Sequence, residues 1–215
     1  MLFRSTGLAA HGFGLAWYEQ KREGGAISFV EHIIMNKTPS ENRYGVKFSE
    51  LHAIDLVDMD GDGVKDIVTG KRFWSHGRTG DPDRNNAAVL YWFKLVRGAD
   101  KSVDWVPHLI DDNSGVGTQV VAGDINGDGI VDLVIGDEKN GMFVYMGAGK
   151  RTFDAPVALG GTAGAPYSIA IADMNRDGKP DIVVGRQEAV GSVFFNLGGS
   201  RVPAFKDIPW GDGQG

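Results

Sequence analysis

Apolar residues fall in short clusters along this chain, rich in β-branched and aromatic side chains and separated by polar stretches that carry glycine. Val120-Val121-Ala122, Leu90-Tyr91-Trp92-Phe93 and Ile182-Val183-Val184 are typical. Clusters this short, without recurrence every three to four residues, predict strands and not helices. Aligned against itself, the chain shows three segments that superimpose without gaps: 53–70, 119–136 and 168–185. Each reads strand, nine-residue polar loop, strand, and each places a glycine twelve residues after the first loop Asp: Gly70, Gly136 and Gly185.

A fainter repeat lies between these units. Leu15-Ala16-Trp17-Tyr18, Leu90-Tyr91-Trp92-Phe93, Phe143-Val144-Tyr145-Met146 and Val193-Phe194-Phe195-Asn196 are aromatic strands, each followed by a polar stretch and another short strand. The order is two strands around a loop, then two aromatic strands, repeated. Four antiparallel strands per repeat is the content of a propeller blade, whose twisted sheet buries both faces against its neighbours. The predicted fold is all-β: a single partial β-propeller domain over 1–215, with blades at 51–110, 117–159 and 166–210 and the outer half of another at about 13–34. Three and a half blades do not close a ring, since propellers close with about four to eight. The expectation is a part of a larger, seven-bladed propeller, or a protomer completed by a second copy.

Composition agrees. Glycine at 32 of 215 residues is high but follows no every-third-residue period, so it marks turns between many strands. Cysteine is absent, which removes disulfides, thiolate metal sites and a cysteine nucleophile together. The net charge of −6 comes from 28 acidic against 22 basic residues, and ten of the acids sit in the three loops. Three bound divalent cations would neutralise it. No basic stripe is present to bind a nucleic-acid backbone, and neither an export signal nor an apolar run long enough to insert in a membrane is visible.

The loops carry the chemistry. A hard cation such as Ca²⁺ takes six to eight oxygens at about 2.3–2.6 Å from carboxylates, amides and carbonyls. Loop positions 1, 3 and 5 offer side-chain oxygens, glycine at 6 permits the bend, position 7 offers a carbonyl, and Asp at 9 closes the shell. The expected ligands are Asp58, Asp60, Asp62 and Asp66 with the carbonyl of Val64. In the second loop they are Asp124, Asn126, Asp128 and Asp132 with Ile130, and in the third Asp173, Asn175, Asp177 and Asp181 with Lys179. Asp, Asn and Gly also populate ordinary turns. Turn chemistry, however, does not require an acid at the ninth position three times, and carboxylates packed without a cation repel. Such a filled shell leaves no open position for a substrate, so three structural calcium sites are expected, in an extracellular or periplasmic setting.

The pattern Asp-x-Asp/Asn-x-Asp-Gly-x-x-Asp between strands, with Ile/Leu-Val-x-Gly behind it, resembles the FG-GAP or VCBS repeats of integrin-type β-propellers, over about 15–210. More loosely, Gly70-Lys71-Arg72-Phe73-Trp74 and 108–117 are similar to propeller domains of bacterial proteins related to aldos-2-ulose dehydratase. The first resemblance implies an interaction scaffold for a carbohydrate or protein ligand. The second implies a carbohydrate-modifying lyase, for which His52, His76, Arg78 and Asp81 are the acid, base and anion-binding candidates on the channel face. A purely architectural domain of a larger enzyme is the third reading, and no nucleophile elbow, zinc-protease helix or phosphate-cradling loop favours catalysis. His32 and His108 occupy one place in two outer strands and are expected to be structural, like Trp17, Trp92 and Tyr145. The insertion at 75–86 is expected on the face opposite the calcium loops as a solvated polar loop, with Asp83 less important to stability than Asp128.

Overall fold

A computed structural model describes residues 5–7, 11–72, 77–113, 119–149, 151–199 and 201–211. Four antiparallel sheets follow one another along the chain. The first holds β1 (Ser5–Gly7), β2 (Leu15–Glu23) and β3 (Ala26–Met35). The second holds β4 (Ile54–Val57), β5 (Asp66–Gly70), β6 (Leu90–Arg97) and β7 (Val103–Asp111), with a single helical turn, α1 (Gly77–Gly80), between β5 and β6. The third holds β8 (Gln119–Gly123), β9 (Asp132–Asp137), β10 (Gly141–Tyr145) and β13 (Val157–Leu159). A small hairpin of β11 (Gly147–Gly149) and β12 (Thr152–Phe153) intervenes there. The fourth holds β14 (Pro166–Ala172), β15 (Asp181–Arg186), β16 (Ala189–Gly199) and β17 (Pro203–Trp210).

The continuous apolar strands are the ones buried on both faces. Along β5, Ile67 enters a core shared with the first sheet (Leu15, Trp17, Met35), while its neighbour Val68 enters a core shared with the third (Val120, Leu133, Tyr145). Along β9, Leu133 and Ile135 face back to the second sheet, and Val134 faces forward to Ile169, Ile182 and Phe194 of the fourth. Successive side chains alternate across a strand, so a strand between two cores must be apolar at every position. Each such side chain contributes about 1.5–3 kcal/mol on full burial.

The first strand of each four-stranded sheet lies beside the first strand of the next: β4 contacts β8, and β8 contacts β14. A side-chain bond crosses the first of these seams, where Asp55 Oδ2 accepts from the Ala122 N–H at 2.8 Å. Sheets stacked face to face with their first strands adjacent make a β-propeller-like arrangement. Because the strands run antiparallel, the β4–β5, β8–β9 and β14–β15 loops emerge at one end, and the β5–β6 connection and the sheet-to-sheet connections at the other.

Three features depart from the expected pattern. The first sheet gains a third strand, β1, too short to show any periodicity in sequence. The stretch 152–159 is not one outer strand. Its start pairs with β11 and its end with β10, with a register shift between Gly147 and Gly149. The polar insertion is not wholly solvated either: Asp81 and Asp83 are buried, at 2% and 8% exposure.

Candidate metal centres

The three loops share one backbone course, organised by the first Asp. Asp58 Oδ1 accepts from the N–H groups of Gly61 (2.8 Å) and Asp62 (3.1 Å), and its Oδ2 from Gly63 (2.8 Å). Asp124 repeats this with Gly127, Asp128 and Gly129 at 2.7, 3.1 and 2.8 Å. Asp173 does so with Asp177 and Gly178 at 3.1 and 2.9 Å. The tight curl needs left-handed backbone, supplied by Gly63 (φ 83°), Gly129 (φ 81°) and Gly178 (φ 83°) at the sixth position. The fifth-position acids Asp62, Asp128 and Asp177 each accept from the N–H two residues on, at Val64, Ile130 and Lys179.

The ninth acid does something the spacing alone did not reveal. Asp66, Asp132 and Asp181 are fully buried. Each bridges the start of its own loop to a later strand, β6, β11 and β16 in turn. Their Oδ2 atoms accept from Met59 (3.1 Å), Ile125 (2.8 Å) and Met174 (2.9 Å). Their Oδ1 atoms accept from Leu95 (2.8 Å), Gly147 (2.7 Å) and Asn196 (2.8 Å). Burial pushes the Asp66 carboxyl up to about 6, with the charge of Asp60 adding to the rise and the two backbone N–H groups opposing it. Burial raises Asp132 as well, against its N–H partners, and Asp128 and Asp124 add to the rise. A cation in the loop would reverse that charge repulsion.

The first loop has the donor set a divalent cation needs. Asp58, Asp60 and Asp66 each offer a carboxylate oxygen, all within 4.8 Å of one another. Asp60 is only 4% exposed along its side chain, and its Oδ1 has no hydrogen-bond partner. Its Oδ2 is held by Lys94, which also reaches Asp62 at 2.5 Å, and by Arg151 at 2.8 Å. In the other loops Asn stands at position 3. The Asn126 amide donates to Asp128 (3.0 Å) and that of Asn175 to Asp177 (3.3 Å), while Lys179 also pairs with Asp177 at 2.9 Å.

Residues 124–184, from the first acid of the second loop through the third loop into β15, match the family model of the FG-GAP-like repeat. The chain carries an FG-GAP-like repeat. No curated protein matches the chain.

At the opposite end from the three loops, the structure brings together only part of the expected ligand face. His76 lies outside the described residues, as does the side chain of Arg78. Asp81 is withdrawn from solvent. Asp83 accepts from the Ser49 N–H at 3.1 Å and pairs with fully buried Lys71 at 2.7 Å, which ties the insertion to the body. His52 sits 3.4 Å from Glu50, and burial, followed by the charge of Arg72, holds it below its usual range against the pull of Glu50.

The aromatic repeat is structural. His32 stacks on Trp17 (ring centroids 4.1 Å apart) and His108 on Trp92 (4.3 Å), each pair being direct cross-strand partners. Sequence reasoning missed a cleft of about 690 Å³ between β3 and β7, lined by Trp17, Glu31, His32, Arg43, Tyr44 and Asp104 among others. Its walls come from two sheets some 70 residues apart, and no local spacing signals such a meeting.

Proposed function

We propose that this chain is a calcium-stabilised β-propeller repeat domain acting as a binding scaffold. The observation that carries the reading is Asp60, a buried carboxylate with an oxygen lacking a hydrogen-bond partner beside Asp58 and Asp66. Calcium supplies a hard double charge that such oxygens satisfy. Asp58, Asp60, Asp62, Asp66 and the Val64 carbonyl would hold it, and Lys94 would give up its place on Asp60. The same roles fall to Asp124, Asn126, Asp128, Ile130 and Asp132, and to Asp173, Asn175, Asp177, Lys179 and Asp181.

The four-stranded sheets are blades, and the three-stranded sheet is the outer part of another, within a larger, seven-bladed ring or one completed by a second copy. Fold alone does not select a ligand. A carbohydrate or protein partner is assigned to the face opposite the loops, outside the cytosol, where calcium is abundant; FG-GAP repeats typically work in that setting. The lyase alternative gains no support from Asp81, whose burial removes it from any open channel surface.

Thermal unfolding in millimolar calcium against excess chelator tests the metal. At about 1 mM calcium, one site of about 10 μM Kd adds roughly 2.7 kcal/mol, which corresponds to about 5–10 °C in Tm for a chain of this size. Equal melting in the two conditions would sink the calcium reading. NMR titration with sugars and acidic oligosaccharides tests the scaffold: shifts near His52 support the assigned face, and shifts confined to the calcium loops overturn it.

A further inference from the structure

We propose that His11, Glu50 and His52 form a binding site for a divalent transition ion, zinc in the first place, separate from the calcium loops and independent of whether they hold calcium. One donor atom from each residue lies within 4.8 Å of the other two. The backbone builds the cluster from two distant stretches. Phe13 bridges to Ser49, the Glu50 N–H donates to the Gly12 carbonyl at 3.0 Å, and the Arg72 N–H donates to the Glu50 carbonyl at 2.9 Å. His11, between β1 and β2, is thereby set against the segment that leads into β4.

Glu50 is the centre of this arrangement and its most unusual residue. It is fully buried and holds a left-handed backbone at φ 61°, a conformation costing a residue with a side chain roughly 1–2 kcal/mol. Strain of this kind persists where the surroundings enforce it and concentrates at functional sites. Its Oε2 lies 3.4 Å from His11 Nδ1 and 3.4 Å from His52 Nε2. Both distances exceed the usual N–H···O range of about 2.7–3.2 Å. They match the edge of a tetrahedron whose ligands stand about 2.0–2.1 Å from a central zinc, an edge of about 3.3–3.4 Å. The two imidazoles meet edge-on, 5.0 Å between centroids at 67°, splayed as two rings sharing one ion must be.

The electrostatics agree with the geometry. A zinc ligand must be neutral imidazole or ionised carboxylate, and two histidines with one glutamate supply that donor set. The Arg72 guanidinium is itself engaged by Glu138 at 2.9 Å, so its charge is partly compensated away from the cluster. Two imidazoles and one carboxylate complete three corners of a tetrahedron. His11 is 54% exposed along its side chain, so an ion can reach the cluster from solvent, and a water or small anion would supply the fourth ligand.

The test uses the calcium-saturated chain, so that the acidic loops are already occupied, titrated with zinc followed by calorimetry and with cobalt followed by its visible d–d absorption. The expected result is one zinc per chain, four-coordinate cobalt bands displaced by zinc, and a zinc-dependent rise in Tm. His52→Ala and His11→Ala should each weaken binding at least 100-fold, whereas His32→Ala, at the other histidine–carboxylate contact, should leave it unchanged. His11 is exposed, so His11→Ala should keep the wild-type Tm without zinc and isolates ligation from folding. Absence of zinc binding at 100 μM, or binding insensitive to His11→Ala, overturns the site and leaves the cluster as two imidazoles paired with a buried carboxylate.

Discussion

The Lys71 ammonium and the Asp83 carboxylate meet 2.7 Å apart, with side chains 0% and 4% exposed. Lys71 also donates to the Asp83 carbonyl at 2.6 Å, and Ser49 donates both its N–H and its hydroxyl to the carboxylate. Burial raises the Asp83 carboxyl, but Lys71 and Ser49 outweigh it and hold the group below its usual range. Removing one partner of such a pair leaves the other charge buried and uncompensated, at a cost of about 3–5 kcal/mol. Asp83→Ala should therefore lower unfolding stability by that amount in urea, and by more than Asp128→Ala does in chelator. The sequence expectation, that Asp128 matters more, applies to the calcium-loaded chain, where Asp128→Ala would also lose an ion ligand. A loss under about 1 kcal/mol would show that the pair is solvated in solution.

Lys94 holds two of the acids proposed as ligands in the first loop, Asp60 and Asp62. Its ammonium bridges Asp60 and Asp62 and has its own charge stabilised by them, so it remains protonated, and it holds Asp62 below the usual carboxylate range. Lys94→Met should cost about 1–2 kcal/mol in chelator, because two acids lose a counter-charge. The same substitution should enlarge the Tm gain on adding calcium, since the ion no longer displaces an ammonium. A calcium gain smaller than wild type would mean that Lys94 supports the site and does not compete with it.

His108 gives a pH signature that can be read in chelator. Burial against Trp92, with Arg151 and Lys94 nearby, depresses its pKa below the ordinary histidine value. A depressed folded pKa means that the unfolded chain takes up a proton the fold refuses, so stability is present above about pH 6.5 and falls as the pH drops below it. Asp66, raised to about 6, and Asp132, also raised, stabilise the fold as pH falls and oppose this loss. The signature is therefore a difference: from pH 7.5 to 5 in chelator, His108→Gln should lose less, or gain more, in denaturant midpoint than wild type. An unchanged slope would remove His108 from the acid sensitivity.

Much of this was legible in sequence because the chemistry demands residue identity at short range. The hydrogen-bonded loop and its glycine curl place Asp58, Asp60, Gly63 and Asp66 within nine positions, and the double burial of β5 forces Ile67-Val68 to be apolar at consecutive sites. The illegible parts are long-range and polar. Nothing near Lys71 announces that its charge is buried, and the backbone bond from Glu50 to Gly12 that sets His11 beside Glu50 spans 38 residues. The ninth loop acids show both sides: their spacing marks them, but not their bonds to Leu95, Gly147 and Asn196 in a later strand.

Gly136 and Gly185 hold the same place in the repeat, and the structure gives them different constraints. A Cβ on Gly136 would come within 2.8 Å of Pro166 Cγ and 3.0 Å of the Pro166 carbonyl, where β14 of the next sheet begins. The obstacle includes backbone, so the fourth sheet would have to shift, and overpacking of this kind costs about 1–3 kcal/mol. A Cβ on Gly185 would meet only Ser168 Cβ at 3.5 Å, an ordinary contact with its own cross-strand partner. Replacing glycine by alanine also narrows the unfolded ensemble, a gain of about 0.4–1 kcal/mol where the native backbone permits it. Gly136→Ala should therefore destabilise, and Gly185→Ala should be neutral or slightly stabilising, by chemical denaturation under identical calcium. Equal losses at both positions would mean that the glycine serves the strand itself, whereas a loss at Gly136 alone ties it to the close approach of the following sheet.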